Sequence, residues 1–295
     1  MEKSQRKGII AYLLITFAGA WLCWGLSQLA GIAVRSLLFL GVTLLSGFMP
    51  AIAALIVRLW ITREGLSDAG LALSLRGGKW RYYLFALLLP LINMGLIISV
   101  SLLFGIARPD FTLQHFLKLS LHMVQTGPLP LALWPVLLLQ LLIFAVLVTP
   151  ILWGEEFGWR SYLQLRLCPG RPLLAAIITG VIWGCWHLPL IFMGYEGYPN
   201  PWLGSMLFIL CTIGLSIIFG WLRLRSGSIW ASSLAHAATN VIGGDLSSIL
   251  FAGDPRFFVV AYHGVVSIFL LGCLAGWLIL SGRLKASLPA KTALA

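Results

Sequence analysis

The chain has 295 residues, 60% of them apolar and only 10% charged, with 20 Lys plus Arg against nine Asp plus Glu and a net charge of +11. Soluble domains run at about half apolar and about a quarter charged. That mismatch excludes an ordinary cytosolic enzyme, a disordered regulator and a disulfide-stapled secreted domain. The five cysteines, Cys23, Cys168, Cys185, Cys211 and Cys273, form no CxxC pair and read as small packing residues. The basic residues fall mainly between apolar runs, so they read as topology determinants against anionic headgroups rather than as a nucleic-acid surface. The chain is expected to be an integral membrane protein in contact with the lipid bilayer.

A charged start, Met1 to Lys7, leads into an apolar run from Gly8 past Gln28, longer than a cleavable signal core and expected to stay as the first span. Stretches able to cross about 30 Å of hydrocarbon lie near 9–29, 37–60, 82–106, 143–166, 173–193, 202–222, 228–252 and 259–281. Backbone polar groups in lipid must be satisfied within the segment, so these runs predict helices. The expected fold is all-α: one membrane domain over 1–295, a polytopic bundle of about eight transmembrane helices. Residues 1–110 supply the first three helices, 129–252 helices four to seven, and 253–295 the last helix and a C-terminal tail from Ser287.

Between these blocks, residues 111–128 are expected to form an amphipathic helix in the interface. Leu113, Phe116, Leu117 and Val124 lie against a polar set of Gln114, His115, Lys118, His122 and Gln125. The run from Leu129 to Leu167 is long for one span, and Pro135 and Pro150 mark places for a kink. Two crossings there would exchange the sides of everything downstream.

The basic residues choose an orientation. Lys3, Arg6, Lys7, Arg58, Arg63, Arg76, Lys79, Arg81, Arg160, Arg166, Arg171, Arg223, Arg225, Arg283, Lys285 and Lys291 fall on one side. Arg35, Arg108, Lys118 and Arg256 fall on the other. This bias puts both termini in the cytoplasm.

Three short motifs carry the polar chemistry: Glu155-Glu156-Phe157-Gly158-Trp159-Arg160, Trp183-Gly184-Cys185-Trp186-His187, and His236-Ala237-Ala238-Thr239-Asn240. An ionisable group inside a span costs about 2.5–3.5 kcal/mol on insertion scales, which makes each a functional candidate. Glu156 and Arg160 are four residues apart and can pair on one helix face. Glu155 is rotated about 100° away and is free for another task. His236 and Asn240 share a face by the same spacing. Counted from the nearest arginine at about 1.5 Å per residue, Glu155 and His236 lie roughly 16 Å deep and His187 roughly 24 Å. Allowing for tilt, the three can meet in one layer, in a cavity open to the cytoplasm.

These motifs resemble those of the CPBP family, the CAAX-protease and bacteriocin-processing intramembrane endopeptidases, which includes the type II CAAX prenyl endopeptidases. The family pattern is EExxxR, an aromatic four residues before a His, and HxxxN. All three occur here in order, with Trp183 where the family commonly has Phe. The resemblance implies hydrolysis of peptide bonds in a membrane-associated or lipidated CAAX-type protein or a peptide. It implies Glu155 as the base that activates water, with His187 assisting and His236 and Asn240 bonding the oxyanion. Glu156 and Arg160, with Trp183, then support the helix that bears Glu155. A carboxylate taken out of water is a stronger base, and donors fixed in a dry site stabilise an oxyanion better than water does.

No metal is expected, in the absence of an HExxH motif; zinc is the alternative, with Glu155, His187 and His236 as its three ligands. Single histidines without polar company, His115, His122 and His263, read as interfacial or solvated. Trp153, Trp159, Trp186 and Trp202 read as interface anchors or core, and Glu196 and Asp245 as outer-rim residues. The competing reading is a non-catalytic membrane adaptor or bacteriocin-immunity protein that keeps the fold. A secondary transporter fits less well, because the ionisable groups sit in one half of the chain only. Compact loops fit a bacterial plasma membrane.

Overall fold

A computed structural model of the chain describes residues 3–34, 36–121 and 133–284. The far part of the expected interfacial helix, from His122 on, lies outside the described residues, as do Arg35, Lys285, Lys291 and the expected tail from Ser287.

Helix α1 (Lys3–Leu29) shows how this sequence folds in lipid. Its buried stripe is Tyr12, Thr16, Ala20 and Trp24, each 0% exposed and four residues from the next. Leu14, Leu22 and Leu26 point outward. Lipid is as apolar as leucine, so the leucines lose nothing by facing out, and the inward stripe is selected by close packing against the other helices. Helix α2 (Leu37–Ile61) has a break at Gly47–Phe48 and ends in a π turn over Val57–Ile61. After the loop 62–79, α3 (Trp80–Leu103) crosses with Pro90 inside it. Its Asn93 donates to Ser267 Oγ at 2.7 Å and ties it to the last helix.

Helix α4 (Gln114–Leu121) is short. Asp110 caps its start, accepting from the backbone N–H of Thr112 and of His115 at 2.9 Å each. Burial pushes this carboxyl up, but the bonds from Thr112 and His115 outweigh it and hold it down at about 2.

Helix α5 (Leu133–Leu167) is a single helix of 35 residues through Pro150. The long apolar run is therefore one continuous helix and not two. Helix α6 (Pro172–Trp186) stops at His187, and the short α7 (Leu188–Phe192) follows. Helix α8 (Pro201–Ser226) is capped by Asn200, whose Oδ1 accepts from the N–H of Trp202 and Leu203, and it ends at Gly227 with φ +73°. It is the most enclosed of the long helices. Helix α9 covers 229–250, starts on a Ser228 cap and contains a π turn over Thr239–Gly244. Helix α10 (Phe257–Leu280) is interrupted at Ala261–Gly264.

Six of these, α1, α2, α3, α5, α8 and α10, are long and apolar enough to cross a membrane, and α6 is a shorter apolar helix. The count differs from eight because one expected span stops at His187 and is short, while the other, α9, carries Ser232, Ser233, His236, Asn240 and Asp245 and is less apolar than the six. A π turn follows His236. Such turns are frequent at functional sites.

Small residues set the spacing of the core. A Cβ on Gly180 would lie 2.6 Å from Ile213 Cα, and one on Gly184 2.9 Å from Ile209 Cα, so α6 and α8 touch backbone to backbone. Thr212 and Ser216 of α8 donate to the carbonyls of Gly180 and Ala176 at 3.0 and 2.8 Å across that seam.

Candidate active site

The first motif sits near the C-terminal end of α5 and runs into a π turn over Trp159–Leu163. Gly154 and Gly158 flank the two glutamates and let α2 and α1 come close. A Cβ at Gly154 would lie 3.0 Å from the Gly47 carbonyl oxygen, and one at Gly158 2.6 Å from Tyr12 Oη. The break at Gly47–Phe48 is thus the place where α2 meets Glu155.

The two carboxylates have different partners. Glu155 Oε2 accepts from the indole N–H of Trp183 at 2.8 Å and of Trp159 at 3.4 Å. Its Oε1 lies toward Gly47. Glu156 is 0% exposed, and its Oε1 stands 3.3 Å from an Arg160 guanidinium nitrogen and 3.1 Å from His236 Nδ1. The Arg160 guanidinium lies 4.5 Å from the centre of the Trp183 ring and 5.4 Å from that of Phe219. Enclosed by these two rings and one carboxylate, this charge has compensation in a dry setting.

His187 sits where α6 ends, its Nδ1 2.9 Å from the Trp183 carbonyl oxygen. A carbonyl only accepts, so Nδ1 carries the proton and Nε2 presents a lone pair. Rings of Trp186 and Phe208 pack on this imidazole at 4.8 Å each. His236 is buried, with the Trp183 ring at 5.1 Å. Its Nδ1–H donates to Glu156, leaving Nε2 for other contacts. Asn240 lies in the π turn and is exposed.

Trp183 therefore joins Glu155, His187, Arg160 and His236. Sequence reasoning gave it only a supporting place and missed Trp159, read as an anchor or core residue, as a second donor to Glu155. The spacing Glu155…Trp159, four residues on one helix, was the available signal. His263, expected to be interfacial or solvated, is instead drawn in beside Phe208 at 5.4 Å and Tyr262 at 5.9 Å, with Tyr198 Oη donating to its carbonyl at 2.8 Å. Glu196, expected at an outer rim, is half-buried in the loop before α8. Burial pushes its carboxyl up to about 7, and the charge of Glu155 adds to that.

Beneath this layer, the loop 62–79 is fastened to the helix ends. Arg58, 0% exposed, donates to Asp68 at 2.8 Å and to the Ser161 carbonyl at 2.8 Å. Arg166 reaches Glu64 and Asp68 at 3.0 Å each, and Arg223 donates to Ser161 Oγ at 3.1 Å and the Asp68 carbonyl at 2.6 Å. Arg58, Arg160, Arg166 and Arg223, counted in the sequence as headgroup-facing charges, are buried. Each has a carboxylate, carbonyl or aromatic partner that makes burial tolerable. For Asp68, burial pushes the carboxyl up, but Arg58 and Arg166 more than offset it and hold it below the ordinary range.

Among the described residues, no three His, Cys, Asp or Glu side chains gather into a group able to hold a metal ion. Glu155, His187 and His236 each use one polar atom on a protein partner.

These features define an integral membrane protein, a polytopic helical bundle that buries Glu155, His187 and His236 and leaves Asn240 exposed. Residues 133–242, which contain all three motifs, match the family described as Type II CAAX prenyl endopeptidase Rce1-like. Over 93 residues the chain is 32% identical to CAAX prenyl protease 2 of Methanococcus maripaludis, covering 30% of this chain and 34% of that relative. The chain thus spans about a third of the length of the curated relative it matches.

Proposed function

We propose that the protein is an intramembrane endopeptidase that hydrolyses peptide bonds of a membrane-associated protein or peptide, lipidated CAAX-type proteins included. The observation that carries this reading is the separation of the two adjacent carboxylates. Glu156 is committed to Arg160 and His236, whereas Glu155 is held on one oxygen by indole N–H groups and keeps the other for a water. The match of residues 133–242 to the Rce1-like family supports the same class.

In this reading Glu155 takes a proton from water as the oxygen attacks the scissile carbonyl carbon. His187, with its Nε2 lone pair, shares in holding that water. Charge then develops on the carbonyl oxygen. His236 in its doubly protonated form, oriented by Glu156, and the Asn240 amide donate to it. When the C–N bond breaks, the proton held at Glu155 passes to the leaving nitrogen. The mechanism is proposed as metal-independent, with Glu155 alone taking the proton from water; zinc held by Glu155, His187 and His236 is the alternative.

Both termini are proposed to face the cytoplasm of a bacterial plasma membrane. The continuity of α5 as one helix supports this orientation, as do the exposed Arg171 and Arg225, which lie at one end of the bundle. The test is to express wild type and Glu155→Gln at matched levels in a strain lacking the gene and to compare peptide termini in membrane and secreted fractions. Termini present only with wild type support the protease and name its substrate. Identical termini, with any cellular phenotype rescued equally by both, overturn it in favour of an adaptor.

A further inference from the structure

A cavity of about 610 Å³ opens at the arginine-rich end of the bundle, between the end of α5, the start of α6 and the last turns of α8 and α10. Neither Glu155, His187, His236 nor Asn240 lines it. Its walls are apolar, from Leu173, Ile177, Leu224 and Ile279. Among the described residues its charged lining is Arg160, Arg171 and Arg223, with no Asp or Glu. Arg225 and Arg283 stand close by, joined by a bond from Arg225 Nε to the Arg283 carbonyl at 3.1 Å.

Two polar side chains of the lining have unused capacity. Gln164 is 7% exposed, and its Oε1 has no hydrogen-bond partner among the described residues. Among the described residues Arg160, 1% exposed, makes no hydrogen bond through its guanidinium beyond the 3.3 Å ion pair with Glu156. At the rim, Arg171 is exposed and makes no side-chain bond among the described residues. The cavity is of ligand size, greasy within and positive at the mouth.

We propose that this cavity is a site for an anionic phospholipid, which inserts an acyl chain between α6, α8 and α10 and sets its phosphate against Arg171. Basic pockets between helices on the cytoplasmic side suit such headgroups, and anionic lipids concentrate in that leaflet. The charge selects this occupant over the segment that follows Leu284. Residues 285–295 carry Lys285 and Lys291 and no Asp or Glu side chain. Such a segment is repelled by the arginines that attract a phosphodiester. Arg171 lies outside the Glu-His-His-Asn set, so the site stands whether or not the chain is a protease.

The experiment is native mass spectrometry of the full chain, delipidated in detergent and titrated with phosphatidylglycerol or phosphatidylcholine of the same acyl chains. Wild type is expected to take up one phosphatidylglycerol in clear preference to phosphatidylcholine. Arg171→Glu is expected to reduce that preference at least about fivefold. Arg76→Glu, an exposed charge in the loop 62–79 away from the cavity, leaves it unchanged. Leu173→Trp, which fills the cavity and keeps every charge, lowers uptake of both lipids. Equal binding of the two lipids by wild type, or equal loss from Arg171→Glu and Arg76→Glu, overturns the site as a general charge effect. Uptake seen only after removal of 285–295 overturns it in favour of the tail.

Discussion

His236 Nδ1 and Glu156 Oε1 stand 3.1 Å apart, and this one contact binds α9 to α5 at the depth where both motifs lie. The same oxygen faces Arg160 at 3.3 Å, so a single buried carboxylate compensates a guanidinium and orients an imidazole. Its chain neighbour Glu155 shares neither partner. Removing Glu156 leaves Arg160 buried without its counter-charge, and breaking a buried pair from one side costs about 3–5 kcal/mol. Glu156→Ala is therefore expected to lower thermal stability in detergent sharply. The double variant Glu156→Gln, Arg160→Met, which removes both charges, is expected to recover much of it. Unfolding midpoints of the two proteins decide the matter, and equal midpoints would show that the pair is not coupled.

Trp183 donates to Glu155 at 2.8 Å, while Trp159 donates at 3.4 Å. Hydrogen bonds to a charged group contribute about 1.5–3 kcal/mol, and the shorter bond is the stronger. Trp183→Phe keeps the ring over Arg160 and deletes only the N–H. Activity is expected to fall about tenfold or more with little change in unfolding temperature, and Trp159→Phe is expected to have the smaller effect. Specific activity of the two variants, measured on the substrate found by the terminus comparison, provides the check. A larger loss in Trp159→Phe would reverse the assignment.

Much of this site was legible because lipid makes polar residues rare. Glu155, Glu156, Arg160, His187, His236 and Asn240 stood out in apolar runs, and helix spacing paired Glu156 with Arg160. The bond between Glu156 and His236 was not legible. It joins residues 80 apart, and its formation depends on how α5 and α9 pack. The His187 break and the π turn at Thr239–Gly244 were also hidden, since both segments read as continuous apolar helix. Charge counting misjudged Arg58 and Arg223. Their buried partners, the Ser161 carbonyl and the Asp68 carbonyl, are backbone atoms on other elements. His263 looked solitary in sequence and found aromatic neighbours only through the fold.

The GxxxG pair of α6 carried little weight as a pattern, but the structure gives it a mechanical meaning. A methyl on Gly180 would meet the backbone of Ile213 at 2.6 Å, and backbone cannot move aside as a flexible side chain can. Overpacking of this kind costs about 1–3 kcal/mol. Gly180→Ala is expected to lower the unfolding temperature. It also pushes apart the helices that carry His187 and Phe208. Gly95→Ala on α3 faces open space and is the matched control, expected to be neutral. Parallel thermal unfolding of both variants in one detergent tests the difference, and similar behaviour would remove the close-contact argument.

The fastening of the loop 62–79 has its own pH dependence. Burial works against the Asp68 carboxylate, yet the hydrogen bonds and charges of Arg58 and Arg166 win, so its folded value lies below the usual carboxylate range. A group depressed on folding contributes stability that is complete above its unfolded value, about 3.9, and is lost as pH falls through the lower folded value. Asp68 is partly exposed, so solvent screening keeps its share modest. Between pH 7 and pH 5 the wild type is expected to hold a steady contribution from this contact, and toward pH 3 to lose it. Asp68→Asn is expected to be less stable than wild type at pH 7 and to approach it at pH 3, because the protonated acid and the amide then present similar partners to the two arginines. Thermal unfolding of both proteins across that range measures the gap directly. A gap that stays constant with pH would mean that Asp68 holds the loop by shape and not by charge.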